Sequence, residues 1–154
     1  MDRSPKYSLL EAKQKIEAFC AYQERCDYEV RQKLHSWFMH PEDVDVLISD
    51  LISNNFMNEE RFAEAYASGK FRMKKWGKNK IKQQLKLKQI SDYSINKGLN
   101  EIDDKEYLDT IEQLVSSKLK SVKGKTDWEK QMKVKQYLFG RGFEVELVER
   151  FLKE

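Results

Sequence analysis

Residues that make turns are scarce in this chain of 154 residues, which contains six glycines and two prolines. Barrels and sandwiches need many tight turns, so this composition argues against both classes of fold. Long apolar runs are missing as well, because no stretch approaches the roughly 20 residues that a membrane span needs. The first ten residues lack the apolar stretch of a signal peptide, and we therefore expect a cytoplasmic location.

Cysteine is also rare, with Cys20 and Cys26 as the two examples. Together with His35 and His40 they form the pattern C-x5-C-x8-H-x4-H. This spacing matches no zinc-binding pattern that ligand geometry supports. We predict two free thiols, no disulfide and no metal.

Charged and helix-forming side chains are abundant. Charged residues make up 36% of the chain and aromatic residues 12%, and an aromatic share this high argues against disorder. Lys, Glu, Leu and Gln are frequent, as long helices require. We therefore predict an all-α protein.

One spacing of apolar residues occurs three times, with intervals of 4, 5, 5 and 4 residues. The three sets are Val30, Leu34, Met39, Val44 and Ile48, then Ile81, Leu85, Ile90, Ile95 and Leu99, and finally Val134, Leu138, Phe143, Val148 and Leu152. The sets are offset by 51 and 53 residues, which indicates a tandem repeat of one unit. An interval of four keeps two side chains on one helical face, and an interval of five spans a turn. Each set therefore predicts two short helices.

A longer helix precedes each of these pairs. In the middle copy the predicted apolar stripe of that helix contains Phe62, Tyr66, Gly69, Met73 and Trp76. Each unit thus has three helices, which gives about nine in all. The predicted units are residues 1–58, 59–102 and 103–154. Because a unit of ~50 residues barely forms a core alone, we expect the units to share surface in an elongated, curved row, as a monomer.

No arrangement of catalytic residues stands out. Gly77-Lys78 and Gly124-Lys125 lack the upstream glycine and the following Ser or Thr of a phosphate-binding P-loop. Gly140-Arg141-Gly142 lacks the third glycine of a dinucleotide-binding loop. The acidic pair Asp103-Asp104 lies at a predicted helix start, where acids favour the helix dipole. We predict no enzymatic activity and no cofactor.

The strongest signal outside the core is a run of basic residues from Ala65 to Ser91 that contains no acidic residue. The residues that we predict to bind a partner are Lys70, Arg72, Lys74, Lys75, Lys78, Lys80, Lys82 and Lys86, and Lys88 completes the run. The net charge is −3 over 1–58, +6 over 59–102 and 0 over 103–154, so the middle unit holds the positive charge.

The basic run has two interpretations. Solvated faces usually mix charge signs, because like charges four residues apart on a helix repel. An anionic partner such as nucleic acid explains a face of one sign better than solvation does. Phe71 falls off the predicted stripe, so it is a candidate for stacking on a base or for packing between units. Trp76 fits the stripe and is predicted to be buried.

The middle unit contains Phe56-Met57-Asn58-Glu59-Glu60-Arg61-Phe62-Ala63, followed by Tyr66, Arg72, Gly77, Ile81, Leu85 and Ile90. Through these residues the unit resembles the RecX family of regulatory proteins. The first unit adds Tyr22, Arg25, Glu29-Val30 and Lys33-Leu34, and the repeat from residue 8 to 154 extends the likeness to nearly the whole chain. Gln89 stands where the family commonly has glycine in a turn.

The resemblance implies three repeats of three helices that modulate the RecA recombinase. Such proteins bind in the groove of the RecA–single-stranded-DNA filament and usually inhibit ATP hydrolysis, coprotease activity and strand exchange. Two other functions stay open. One is a nucleic-acid-binding module without a recombinase partner, with Asn79, Gln83 and Gln84 as readers of bases. The other is a helical scaffold that binds an acidic protein.

Overall fold

The computed structural model describes residues 3–152, and within this range the chain forms nine α-helices and no strand. The helices are α1 (Leu9–Tyr22), α2 (Asp27–Ser36), α3 (Pro41–Ser53), α4 (Glu59–Lys74), α5 (Lys78–Leu87), α6 (Asp92–Asn100), α7 (Asp104–Ser121), α8 (Asp127–Gly140) and α9 (Val145–Leu152). The all-α prediction is confirmed. No helix in this range is both long and apolar enough to span a membrane.

The repeated spacing marks the core of each three-helix repeat. All fifteen of its residues are buried, and none is more than 8% exposed. Leu34, Leu85 and Leu138 occupy equivalent positions on α2, α5 and α8 and are fully buried. The prediction of three tandem three-helix repeats is therefore confirmed.

The second interval of the spacing contains a left-handed turn in every repeat. Phe38, Gln89 and Gly142 precede the third repeated residue, and their φ angles are 58°, 64° and 94°. Glycine adopts this conformation without strain, whereas other residues do so at a cost of about 1–2 kcal/mol. The turn survives in the second repeat although Gln89 replaces the glycine common in the family that the sequence resembles.

The core face of α4 differs from the predicted stripe. Its buried residues are Phe62, Ala63, Ala67 and Phe71. Met73, which the stripe placed in the core, is 83% exposed. The stripe was right for Phe62 and wrong for Met73, because small alanines such as Ala63, which carry little hydrophobic signal, face α6 instead.

Two hydrophobic cores underlie the row of repeats. The first belongs to repeat 1 alone, and the second runs continuously through repeats 2 and 3. Two residues of repeat 1 reach the second core: Cys26, between α1 and α2, is buried in it, and the half-buried Tyr28 packs against it. The accessible surface of 9929 Å² exceeds the ~8,200 Å² of a compact protein of this mass, as an elongated row requires.

Candidate partner-binding surface

The basic run follows the second half of α4, the turn after it and the whole of α5. Asn58 begins α4, since its side chain accepts a hydrogen bond from the Arg61 backbone N–H at 2.9 Å. Lys75 ends the helix in the left-handed conformation with φ of 56°. Gly77 is the N-cap of α5. All eight predicted partner-binding residues therefore lie around a single helical corner.

Repeat 3 holds this corner in place through main-chain contacts. The backbone N–H of Gly77 donates to the carbonyl of Arg141 at 2.7 Å, and that of Asn79 donates to the carbonyl of Gly142 at 2.9 Å. The Arg141 guanidinium donates in turn to the carbonyl of Lys74 at 2.7 Å, at the end of α4. A Cβ on Gly77 would overlap the backbone of Gly142, so only glycine permits this approach.

Tyr107 fixes the start of α5 from the side of repeat 3. Its hydroxyl accepts a hydrogen bond from the Lys78 backbone N–H at 2.9 Å and donates one to Glu144. Burial and the hydrogen bond to Glu144 raise the pKa of the Tyr107 hydroxyl far above its ordinary value. The N–H groups of Gly77, Lys78 and Asn79 at the start of α5 are thus engaged by repeat 3 and are not free to bind an anion.

The basic side chains separate into two rows. The outer row consists of Lys78, Lys82 and Lys86, spaced four residues apart on one side of α5, with Lys78 half-buried and Lys82 and Lys86 exposed. The groove row consists of Lys70, Lys74, Lys80 and Lys88, which lie around Trp76 or line the groove beside it. Lys75 lies exposed in the turn between α4 and α5.

Two members of the basic run form ion pairs with neighbouring repeats. Arg72 lies 3.3 Å from a carboxylate oxygen of Glu106 on α7, and this pair is exposed. Lys88 lies 3.1 Å from Glu29 on α2, in a half-buried pair. Burial lowers the pKa of Lys88, but the hydrogen bond and charge of Glu29 outweigh it, so the pKa is raised overall. The other seven residues of the basic run are lysines. None of their ammonium groups has a carboxylate oxygen within 4.0 Å among residues 3–152.

Phe71 is no candidate for stacking on a base. It is 2% exposed, and its ring centroid lies 5.5 Å from that of Tyr107 in repeat 3. Packing between repeats, the alternative that the sequence left open, is therefore its role. Trp76 is half-buried rather than buried, with the ammonium groups of Lys70 and Lys80 over its ring at 5.0 and 4.6 Å.

A groove of about 630 Å³ separates this basic corner from repeat 1. Tyr66, Gly69 and Met73 on α4 line it, although the sequence pattern had assigned them to the core. The one sequence signal for this groove was Gly69 itself, because glycine inside a helix lowers stability and needs a reason.

Both cysteines are buried thiols. Burial raises the pKa of Cys20 to about 11 and raises that of Cys26 as well. Across residues 3–152 no three side chains of His, Cys, Asp or Glu converge to hold a metal ion.

Comparison with known proteins places the chain in a family. Sequence models of the second and third three-helix domains of RecX match residues 58–99 and 104–152. The chain belongs to the RecX family. It is 30% identical to "Regulatory protein RecX" of Clostridium acetobutylicum over 151 residues, which cover 96% of this chain and 70% of that protein. The protein of the same name from Acinetobacter baylyi is 30% identical over 122 residues, with 78% of this chain and 72% of that protein covered.

Several other relatives are longer than this chain. It spans 51% of the length of "Regulatory protein RecX" from Lactobacillus gasseri, to which it is 29% identical. Among solved structures, RecX from Lactobacillus salivarius superposes with a TM-score of 0.82 at 24% identity, covering 94% of both chains. A second RecX crystal structure gives a TM-score of 0.85 at 19% identity, over 95% of this chain and 73% of the other. These two similarities establish the fold.

Proposed function

We propose that the protein is a non-catalytic regulator that binds in the groove of the RecA–single-stranded-DNA filament and inhibits RecA. The activities affected are ATP hydrolysis, coprotease activity and strand exchange. The observation that carries this proposal is the basic corner, where seven lysines have no carboxylate within 4.0 Å in the described part of the chain. Those lysines are Lys70, Lys74, Lys75, Lys78, Lys80, Lys82 and Lys86.

The shape of the molecule supports a filament as the target. An elongated row of three repeats can contact successive protomers of a helical assembly. The outer row of lysines offers positive charges at regular intervals to the phosphates that such an assembly holds. Each lysine that neutralises a phosphate releases counterions, so the affinity is expected to fall steeply with salt concentration.

Direct reading of duplex DNA by α5 is the weaker alternative. A recognition helix places its N-terminal residues against base edges in the major groove. Here the backbone N–H groups of Gly77, Lys78 and Asn79 are bonded to repeat 3, so the start of α5 is covered. Asn79 and Gln83 are exposed, but the N-terminal end of the helix that carries them is covered by repeat 3.

A pull-down separates these functions. The protein is incubated at matched salt with immobilised RecA filaments or with bare single-stranded DNA, and the bound fractions are compared. The proposal predicts tighter binding to the filament, and at least about tenfold weaker binding for a variant in which Lys78, Lys82 and Lys86 are changed to Gln. Equal binding to both supports would favour a DNA-binding module, and binding to neither would favour a scaffold for another acidic protein.

A further inference from the structure

The groove between repeats 1 and 2 has an apolar floor with a recess in its centre. Gly69 lies in the middle of α4, and a Cβ built on it meets no atom within 4 Å. Neither packing nor backbone conformation therefore requires glycine here, although glycine in a helix interior lowers stability relative to alanine. One turn further along α4, Met73 is 83% exposed. The helix thus leaves a gap beside an exposed, flexible apolar side chain.

The charges around this recess are unbalanced toward positive. Two acids line the groove from repeat 1, but Glu24 pairs with Arg61, and Glu29 pairs with Lys88 at 3.1 Å. Lys70 and Lys74 line the opposite side and have no such partner within residues 3–152. An occupant of the groove would therefore gain from carrying negative charge.

The aromatic side chains of the groove favour a protein over a nucleic acid. Base stacking needs open ring faces, whereas the ammonium groups of Lys70 and Lys88 lie over Tyr66 at 5.4 and 5.9 Å. Lys70 and Lys80 cover Trp76 in the same way, at 5.0 and 4.6 Å. Methionine adapts its shape to apolar side chains and is common on surfaces that bind peptides.

We propose that this groove binds an acidic protein segment, with an apolar side chain over Gly69 and Met73 and carboxylates against Lys70 and Lys74. This assignment rests on the proposed function and deepens it. Under this assignment, the groove contacts the protein part of the filament, and the outer row of lysines contacts the DNA phosphates.

Two fluorescent probes test the assignment by anisotropy. One is a labelled peptide with two central leucines flanked by runs of glutamate, and the other is labelled oligothymidylate of about 20 nucleotides, enough to span a single-strand binding site. Gly69→Leu fills the recess and is expected to weaken peptide binding at least about tenfold, with oligothymidylate binding unchanged. The matched control, Lys82→Gln with Lys86→Gln, is expected to weaken oligothymidylate binding and to leave peptide binding unchanged.

A second variant keeps the test independent of folding defects. Gly69→Ala should raise the melting temperature, because alanine favours the helix and meets no obstacle, and should still weaken peptide binding. No peptide binding by the parent, or equal peptide binding by parent and Gly69→Leu, would overturn the assignment. Loss of oligothymidylate binding in Gly69→Leu would identify the groove as a nucleic-acid site instead. If the substitution Gly69→Leu weakens peptide binding but the parent does not bind RecA filaments, the proposed function is refuted and the groove assignment is supported.

Discussion

Replacing Gly142 by alanine should destabilise the contact between repeats 2 and 3 more than the addition of one methyl group suggests. Gly142 has a φ of 94°, and a Cβ there would overlap the backbone and Cβ of Lys80 on α5. The same turn supplies the carbonyls that accept hydrogen bonds from Gly77 and Asn79 at 2.7 and 2.9 Å. Alanine therefore strains its own backbone and pushes α5 away from repeat 3.

The expected cost follows from three contributions. The left-handed conformation costs about 1 kcal/mol for a residue with a Cβ, and the overlap costs about 1–3 kcal/mol as overpacking does. Each weakened main-chain hydrogen bond adds up to ~1 kcal/mol. We expect a total of about 2–6 kcal/mol, which for a chain of this size corresponds to a fall in melting temperature of about 4–24 °C.

The assay is thermal and urea unfolding followed by circular dichroism, with two comparison variants. Gly140→Ala is the matched control, because a Cβ at Gly140 meets no atom within 4 Å, and it should be neutral or slightly stabilising. Gln89→Gly removes left-handed strain at the equivalent turn of repeat 2 and should stabilise by about 0.5–1 kcal/mol. If Gly142→Ala unfolds like Gly140→Ala, the main-chain contact between repeats does not carry the stability assigned to it.

Three further outcomes are expected. Leu85→Ala should cost about 2–5 kcal/mol of unfolding free energy, because Leu85 is fully buried, and unchanged urea unfolding would contradict its burial. Cys20 and Cys26 should resist a thiol reagent at pH 8 until the protein is denatured, since burial raises the pKa of Cys20 to about 11 and only thiolates react; rapid labelling of the native protein would argue against this. Asn58→Ala should cost about 1 kcal/mol by removing the N-cap of α4, and a melting temperature equal to that of the parent would show that the cap is dispensable.

The repeat could be predicted from sequence because its signal is strong and occurs three times. Large apolar side chains such as Leu34, Leu85 and Leu138 recur at fixed intervals, and burial of one predicts burial of the others. At Gln89 the backbone keeps the left-handed conformation although the residue is not glycine. The packing of the surrounding helices therefore determines the conformation of this turn.

The candidate site was predicted only in part, for physical reasons. A basic run indicates charge, but its division into an outer row and a groove row depends on the rotation of α5 against its neighbours. Tyr66, Met73 and Trp76 look like core residues in sequence because an apolar side chain has the same hydrophobicity in a core and in a groove. The contact between Gly77 and Gly142 joins residues far apart in the chain, and no local pattern predicts it.

The most direct measurement of the proposed function is inhibition of RecA ATP hydrolysis on single-stranded DNA as a function of protein concentration. The parent is compared with a variant in which four lysines of the basic corner become Gln, a change that keeps helix propensity and removes charge. The substituted residues are Lys70, Lys74, Lys78 and Lys82. A control variant carries the same substitution in repeat 3, at Lys118, Lys120, Lys123 and Lys125.

The proposed function predicts that the first variant keeps its helicity and loses at least tenfold in inhibitory potency, or roughly 1.4 kcal/mol, while the control loses less. Equal inhibition by the parent and both variants would contradict it and would show that the basic corner is a solvated surface.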